Sequence, residues 1–202
     1  MLTFDDRAKD WDKNPTRIER AIAVAKAIRA AVPLSPEMTA FEYGCGTGLL
    51  SFALRPYLGP ITLADVSTRM LDVLREKIAA AGVANMTPLR LDLASDRLPA
   101  ERFDIIYTLM TLHHIPDTAK ILGSFHALLN PGGYLCIADL DQEDGSFHSS
   151  DSTFDGHNGF ARHDLRHQLL AAGFGEAKFS TCFEMVKDRR TYPLFLAVAH
   201  KG

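Results

Sequence analysis

The chain has 202 residues, enough to bury one full core, and its 47% apolar and 23% charged residues are the balance of an ordinary globular domain. Its formal charge of −3, from 22 Lys+Arg against 25 Asp+Glu, argues against nucleic-acid phosphates as the main partner, because those call for a concentrated basic face. No apolar run approaches the roughly 20 residues that span a bilayer, and the acidic stretch 1–12 lacks the basic-then-apolar layout of a signal peptide.

Asn14-Pro15 reads as an N-cap followed by proline in the first turn of a helix. Ile18, Ala21, Ile22, Ala25, Ile28 and Val32 then recur at helical spacing, so residues 1–36 form an expected helical cap before the first strand at 39–43. Thr47 is placed to open a helix through Arg55, and a second strand over 61–66 contains Asp65 near its end. Ser67 caps the next expected helix, which carries Met70, Leu71, Leu74 and Ile78 and stops at Gly82. A third strand over 87–91 precedes Asp92, and a fourth over 103–109 is apolar on both faces, as a central strand requires. Asp117 caps a helix bearing Ile121, Leu122, Phe125, Leu128 and Leu129, which Asn130-Pro131-Gly132-Gly133 breaks ahead of a fifth strand over 134–140. Residues 141–160 are polar and aperiodic, the profile of a functional loop. A helix over 163–172 and two strands, 176–186 and 192–199, close the chain, with Lys187 to Arg190 as a hairpin turn. The alternation describes one α/β domain over 1–202, with a parallel sheet, crossover helices and a terminal antiparallel hairpin. Cys45, Cys136 and Cys182 show no metal-site spacing and fit a reducing, cytoplasmic setting.

The first strand runs into Glu42-Tyr43-Gly44-Cys45-Gly46-Thr47-Gly48. Glycines there let the backbone turn sharply and let a ligand approach without Cβ atoms in the way. A dinucleotide fingerprint would place its third glycine, or an alanine, at position 49, where Leu49 stands; the third glycine is Gly48. Glu42, two residues before Gly44, can help to order a loop facing a cationic ligand. Asp65, 21 residues after Gly44, is placed to accept both hydroxyls of an adenosine ribose, which SAM and NAD share. Asp92 fits an adenine amino group or, equally, a turn before Leu93-Ala94-Ser95. All three features fall at successive strand ends, where open α/β sheets bind ligands.

With Ala64-Asp65-Val66-Ser67-x-x-Met70, Leu91-Asp92-Leu93, Phe103-Asp104-Ile105-Ile106 through Leu112-His113-His114-Ile115, and Leu129-Asn130-Pro131-Gly132-Gly133, this series resembles the class I S-adenosylmethionine (SAM)-dependent methyltransferases. Within them it is similar to the bacterial small-molecule branch of the quinone-biosynthesis methyltransferases. The resemblance covers nearly the whole chain. It implies a Rossmann-like, seven-stranded sheet ordered 3-2-1-4-5-7-6, strand 7 antiparallel, and SAM as cofactor with S-adenosylhomocysteine as product. It also implies a methionine-end site at Gly44, Cys45 and Gly46, ribose contacts at Asp65, and adenine contacts around Val66, Asp92 and Leu93. Met70 belongs to the same motif, and Leu109 lines the methyl-donor pocket.

Methyl transfer needs chiefly that donor and acceptor be held in line, so a general base is required only if the acceptor must lose a proton. His113 and His114 follow the fourth strand and offer a base or a structural hydrogen bond. Asp139 near the fifth strand's end, and His148 in the following loop beside Phe147, are further catalytic candidates; the loop 141–160 is a candidate substrate lid. His148, His157, His163 and His167 invite a metal reading, but without a cysteine partner or a His-Glu-x-x-His motif no metal is expected. Phe4 and Trp11 precede the sheet, in a region that covers the cofactor in similar enzymes. The expected partner is a small-molecule methyl acceptor, with no nucleic acid and no membrane span. A SAM-binding sensor without catalysis and an NAD-dependent oxidoreductase are the competing readings.

Overall fold

In the computed structural model, which describes residues 4–149 and 154–202, seven strands form one sheet. Residues 1–3 of the expected cap and 150–153 of the expected substrate loop lie outside the described residues. The strands are β1 (Ala40–Tyr43), β2 (Ile61–Asp65), β3 (Met86–Arg90), β4 (Phe103–Leu109), β5 (Leu129–Leu140), β6 (Lys178–Lys187) and β7 (Arg190–His200). Their order is β3-β2-β1-β4-β5-β7-β6, with β7 antiparallel to both neighbours and every other pair parallel. The order expected from the sequence holds, and so does the hairpin. Asp188 and Arg189 make its two-residue turn, with φ of 50° and 64°.

Among the described residues, six α-helices surround the sheet: α1 (Phe4–Arg7), α2 (Pro15–Ala31), α3 (Leu49–Leu54), α4 (Thr68–Ala80), α5 (Thr118–Leu128) and α6 (Arg162–Ala171). Successive strand residues point to opposite faces, so each central strand feeds two cores. Phe41, Ile106, Leu135 and Ile137 pack with Ile121, Leu122 and Phe125 of α5 and Leu165 and Leu169 of α6. Their neighbours Ala40, Ile105, Tyr107, Cys136 and Ala138 pack with Val24, Ala25 and Ile28 of α2, Leu50 and Leu54 of α3, and Leu71 and Leu74 of α4. Three expected caps form: Asn14 Oδ1 accepts from Thr16 N at 3.0 Å, Ser67 Oγ from Met70 N at 3.1 Å and Asp117 Oδ1 from Lys120 N at 3.0 Å.

Some boundaries differ for local reasons. The buried stripe of α2 is Ala21, Val24, Ala25 and Ile28, while Ile18 and Ile22 stay exposed. Leu129 already pairs with Phe103, so β5 begins before the Asn130–Gly133 interruption and its regular register resumes at Ile105 and Tyr134. The third helix starts after Gly48 rather than at Thr47, whose hydroxyl is drawn to Asp12. Among the described residues, no helix is long and apolar enough to cross a membrane.

At the amino end of the sheet, Asp104 accepts from Thr39 N at 2.8 Å, Thr39 Oγ1 at 2.9 Å and Asn130 Nδ2 at 2.7 Å, joining the chain ahead of β1 to β4 and β5. Asp104→Ala is expected to lower unfolding stability by about 1–3 kcal/mol in urea titration. Cofactor affinity should stay unchanged, because this staple lies at the opposite end of the strands from the glycine turn.

Candidate active site

At the carboxyl end of β1 the chain turns through Gly44, Gly46 and Gly48, with φ of 69°, 52° and 77°. This left-handed region is free of strain only for glycine. Gly44 is doubly constrained, since a Cβ there would lie 2.2 Å from Thr111 Cγ2, just past β4. The turn is fastened to β2: Gly44 N and Cys45 N both donate to Ala64 O, at 2.8 and 3.0 Å, and Gly46 N donates to Asp65 Oδ2 at 2.7 Å. Ser67 N donates to the other Asp65 oxygen at 2.8 Å. Burial raises the Asp65 carboxyl above its ordinary value, against the pull of these amides. Val66 next to it is 51% exposed, an apolar surface beside a carboxylate.

Other residues expected at the cofactor are mostly buried. Glu42 is buried, accepting from Ser51 Oγ, which also meets Tyr107 Oη at 2.7 Å. Burial pushes its carboxyl up to about 8, opposed by the Ser51 hydrogen bond. Cys45 is buried, and burial lifts its thiol well above the usual range. Met70 is buried in the first turn of α4, its Sδ 4.0 Å from where a Gly46 Cβ would stand. Asp92 takes the turn role, accepting from Ala94 N and Ser95 Oγ, each at 2.9 Å. Leu93 is core, and its amide donates to Tyr43 Oη at 3.2 Å.

The N-terminal segment folds over this turn. Asp5 accepts from Ser67 Oγ. Asp12, in the 3-10 turn Ala8–Lys13, accepts from Thr47 Oγ1 at 2.5 Å and Lys77 Nζ at 2.6 Å, and Lys77 also reaches Thr47 O at 2.7 Å. Trp11 Nε1 stands 3.7 Å from a notional Cβ on Gly46, and Arg17 covers the indole ring at 3.7 Å.

Past β4, Leu109 pairs with Ala138, so Asp139 lies opposite Met110, and the 3-10 turn Leu112–His114 folds over it. His113 Nδ1 is 2.5 Å from Asp139 Oδ1, His113 N donates to Oδ2 at 3.2 Å, and Leu140 N donates to Oδ1 at 2.8 Å. Both side chains are buried. Burial pushes the Asp139 carboxyl up, but His113 and the two amides outweigh it and hold the group below its ordinary value. An ionised carboxylate accepts only, so the proton between them sits on Nδ1, and it is Nε2 that bears the lone pair whenever the ring is neutral. His113 Nε2 is buried without a hydrogen-bond partner among the described residues.

His114 and His148 stand beside it, with ring centroids 4.1 and 5.3 Å from that of His113, and Phe154 stacks on His148 at 3.8 Å. Among the described residues, these three histidines are the one set whose donor atoms come within 4.8 Å of one another. His157 and His163 instead face Ile115 O and Asp164, at 3.0 Å each, and His167 faces His163 with centroids 6.4 Å apart. The loop 141–160 is held at both ends. Asp141 binds Arg162 through two 2.6 Å hydrogen bonds, and His157 N donates to His113 O at 2.7 Å. Thr111, whose side chain abuts Gly44, carries no sequence signal that would have singled it out.

The methyltransferase-domain family matches residues 16–175, spanning the glycine turn, Asp65 and the His113–Asp139 pair. The chain belongs to this family. A ubiquinone biosynthesis O-methyltransferase of Coxiella burnetii is 29% identical over 147 residues, 70% of this chain and 62% of that protein. An uncharacterized methyltransferase of Schizosaccharomyces pombe is 32% identical over 120 residues, 56% of this chain and 42% of that protein. The chain thus spans 42–62% of the length of these relatives. Among solved structures, the N-methyltransferase NodS of Bradyrhizobium japonicum, in complex with S-adenosylhomocysteine, shares the fold at a TM-score of 0.72 and 19% identity, covering 94% of this chain and 89% of that one. Magnesium protoporphyrin IX methyltransferase of Synechocystis shares it at a TM-score of 0.68 and 18% identity, with coverages of 92% and 84%.

Because folding carries Glu42 from 4.5 to about 8, its contribution to stability is fully present below pH 4.5 and is lost as the pH rises through 8. Glu42→Gln removes that slope. Urea unfolding at pH 9 should find the variant more stable than the parent by on the order of 2–5 kcal/mol, with the two converging near pH 4.5.

Proposed function

We propose that this chain transfers the methyl group of SAM to a small-molecule acceptor and releases S-adenosylhomocysteine. The observation that carries the reading is the glycine turn tied through Gly46 N to Asp65, with exposed Val66 at its side. This set suits the ligand: backbone carbonyls at Gly44, Cys45 and Gly46 for the ammonium of the amino-acid end, a carboxylate for ribose hydroxyls, and an apolar surface for a flat base. Glu42 and Met70 support the turn from below, Asp92 and Leu93 shape the wall after β3, and Leu109 borders the methyl end.

When bound, SAM supplies a methyl group on a sulfonium sulfur, already activated for in-line displacement. The chain's own part is positioning, worth on the order of 7–11 kcal/mol in favourable cases, and removal of the acceptor's proton. His113 Nε2 takes that proton, and Asp139 fixes the tautomer and stabilises the imidazolium that results. His114 and His148 flank the ring, and the loop 141–160, tied to His113 O, keeps bulk water from it.

Calorimetric titration should show one S-adenosylhomocysteine bound per chain and no comparable binding of NAD; preferential binding of NAD would overturn the reading. Transfer of labelled methyl from SAM to members of a panel of small hydroxylated and amino acceptors separates an enzyme from a sensor that binds without turnover. Asp139→Asn and His113→Gln are expected to cut turnover by roughly 10²–10⁴-fold while leaving S-adenosylhomocysteine affinity nearly intact.

A further inference from the structure

Arg20 stands early in α2, with its guanidinium turned inward. Its Nε is buried without a hydrogen-bond partner, and its Nη1 contact is the thioether of Met185 at 3.5 Å. Among the described residues, no carboxylate forms an ion pair with it. A largely desolvated cation without an anion is costly, and proteins rarely keep one without a use for it. Burial draws the guanidinium down to about 10, so it remains charged at neutral pH.

Its surroundings belong to the acceptor side of the sheet. Met185 pairs with Tyr192 across the β6–β7 hairpin, past the point where Leu140 meets Leu194 at the carboxyl end of β5. Met185 and Tyr192 share an apolar cluster with Leu140 and Leu194, against which Leu109, Met110 and Phe147 pack. Asp139 is the acid whose field reaches Arg20, but its oxygens are already engaged by His113 and two amides. Arg162 shows what the idle edge of Arg20 is suited to: its Nε and Nη2 hold both oxygens of Asp141 at 2.6 Å. On Arg20 the same Nε–Nη2 edge has no partner among the described residues.

We propose that Arg20 anchors a carboxylate on the methyl acceptor, so that the substrate is a small carboxylic acid held by the Nε–Nη2 edge while its nucleophilic group reaches His113. The proposal rests on the methyl-transfer reading above. A planar two-oxygen anion matches a single guanidinium edge, as in the Arg162 pair. A phosphate would ask for further cations, and Arg17, whose charge opposes that of Arg20, covers the Trp11 ring and donates to Trp11 O, while Lys187 is committed to Phe147 O.

The test is saturation-transfer NMR with a panel of small aromatic acids and their methyl esters, with and without S-adenosylhomocysteine, on the wild type, Arg20→Met and Arg20→Gln. Acids should bind ahead of their esters, and both variants should weaken the acids by roughly 30-fold or more without changing ester or S-adenosylhomocysteine binding. Arg20→Met should also melt above the wild type, because an apolar chain of similar length replaces an unpaired charge. Equal binding of acids and esters, no acid bound at all, acid affinity retained in both variants, or a lowered melting point for Arg20→Met each overturns the assignment. Failure of the wild type to bind S-adenosylhomocysteine counts against methyl transfer instead, and the acid–ester comparison without it still decides the role of Arg20.

Discussion

The hydrogen bond from Gly46 N to Asp65 Oδ2 ties the turn after β1 to the end of β2, and the ligand-binding face is arranged around it. Parallel strands bring their carboxyl ends to one edge, but they do not by themselves fix how the connecting loops lie there. Here the turn is pinned from β2 by Ala64 O and Asp65, and pressed by Thr111 after β4 against a glycine that has no room for a Cβ. The N-terminal segment then closes over the turn through Asp12, Thr47 and Lys77. Three parts of the chain far apart in sequence thus converge on seven residues.

Buried ionisable groups concentrate at the same edge, each with a different fate. Glu42 is kept neutral by burial, and Asp139 is kept charged by His113 and backbone amides. Asp65 lies between, half-buried and supplied with two amides. Arg20, largely desolvated, has the Met185 thioether as its hydrogen-bond partner among the described residues. Such an arrangement costs stability, and its physical sense is preorganisation: polar groups are fixed before the ligand arrives, so less is lost in ordering them on binding.

The fold was largely legible because its signals are local or periodic. Glycines at 44, 46 and 48 and caps at Asn14, Ser67 and Asp117 found their expected places, and the seven strands formed with boundaries shifted at β5 and β7. Order within the sheet came from family resemblance rather than from periodicity, which does not encode which strands neighbour each other. At the site, His113 and Asp139 were both candidates, yet their pairing depends on the β4–β5 register and so lay beyond reach of spacing alone. Among the later histidines, His148 joins His113 while His157, His163 and His167 face other partners, a distinction set by how the loop 141–160 is pinned. Arg20 was invisible for a simpler reason: on an amphipathic helix, a buried arginine and a solvent-facing one look alike in sequence.

The central claim is that the Gly44–Asp65 cradle holds the methyl donor and that His113 faces the reacting end. A crystal structure with S-adenosylhomocysteine tests it most directly. The account predicts the ribose on Asp65, the base beside Val66, the amino-acid end on the Gly44–Gly46 backbone, and the sulfur turned toward His113 Nε2. Ligand density elsewhere, or a sulfur turned away from His113 and Asp139, would contradict it.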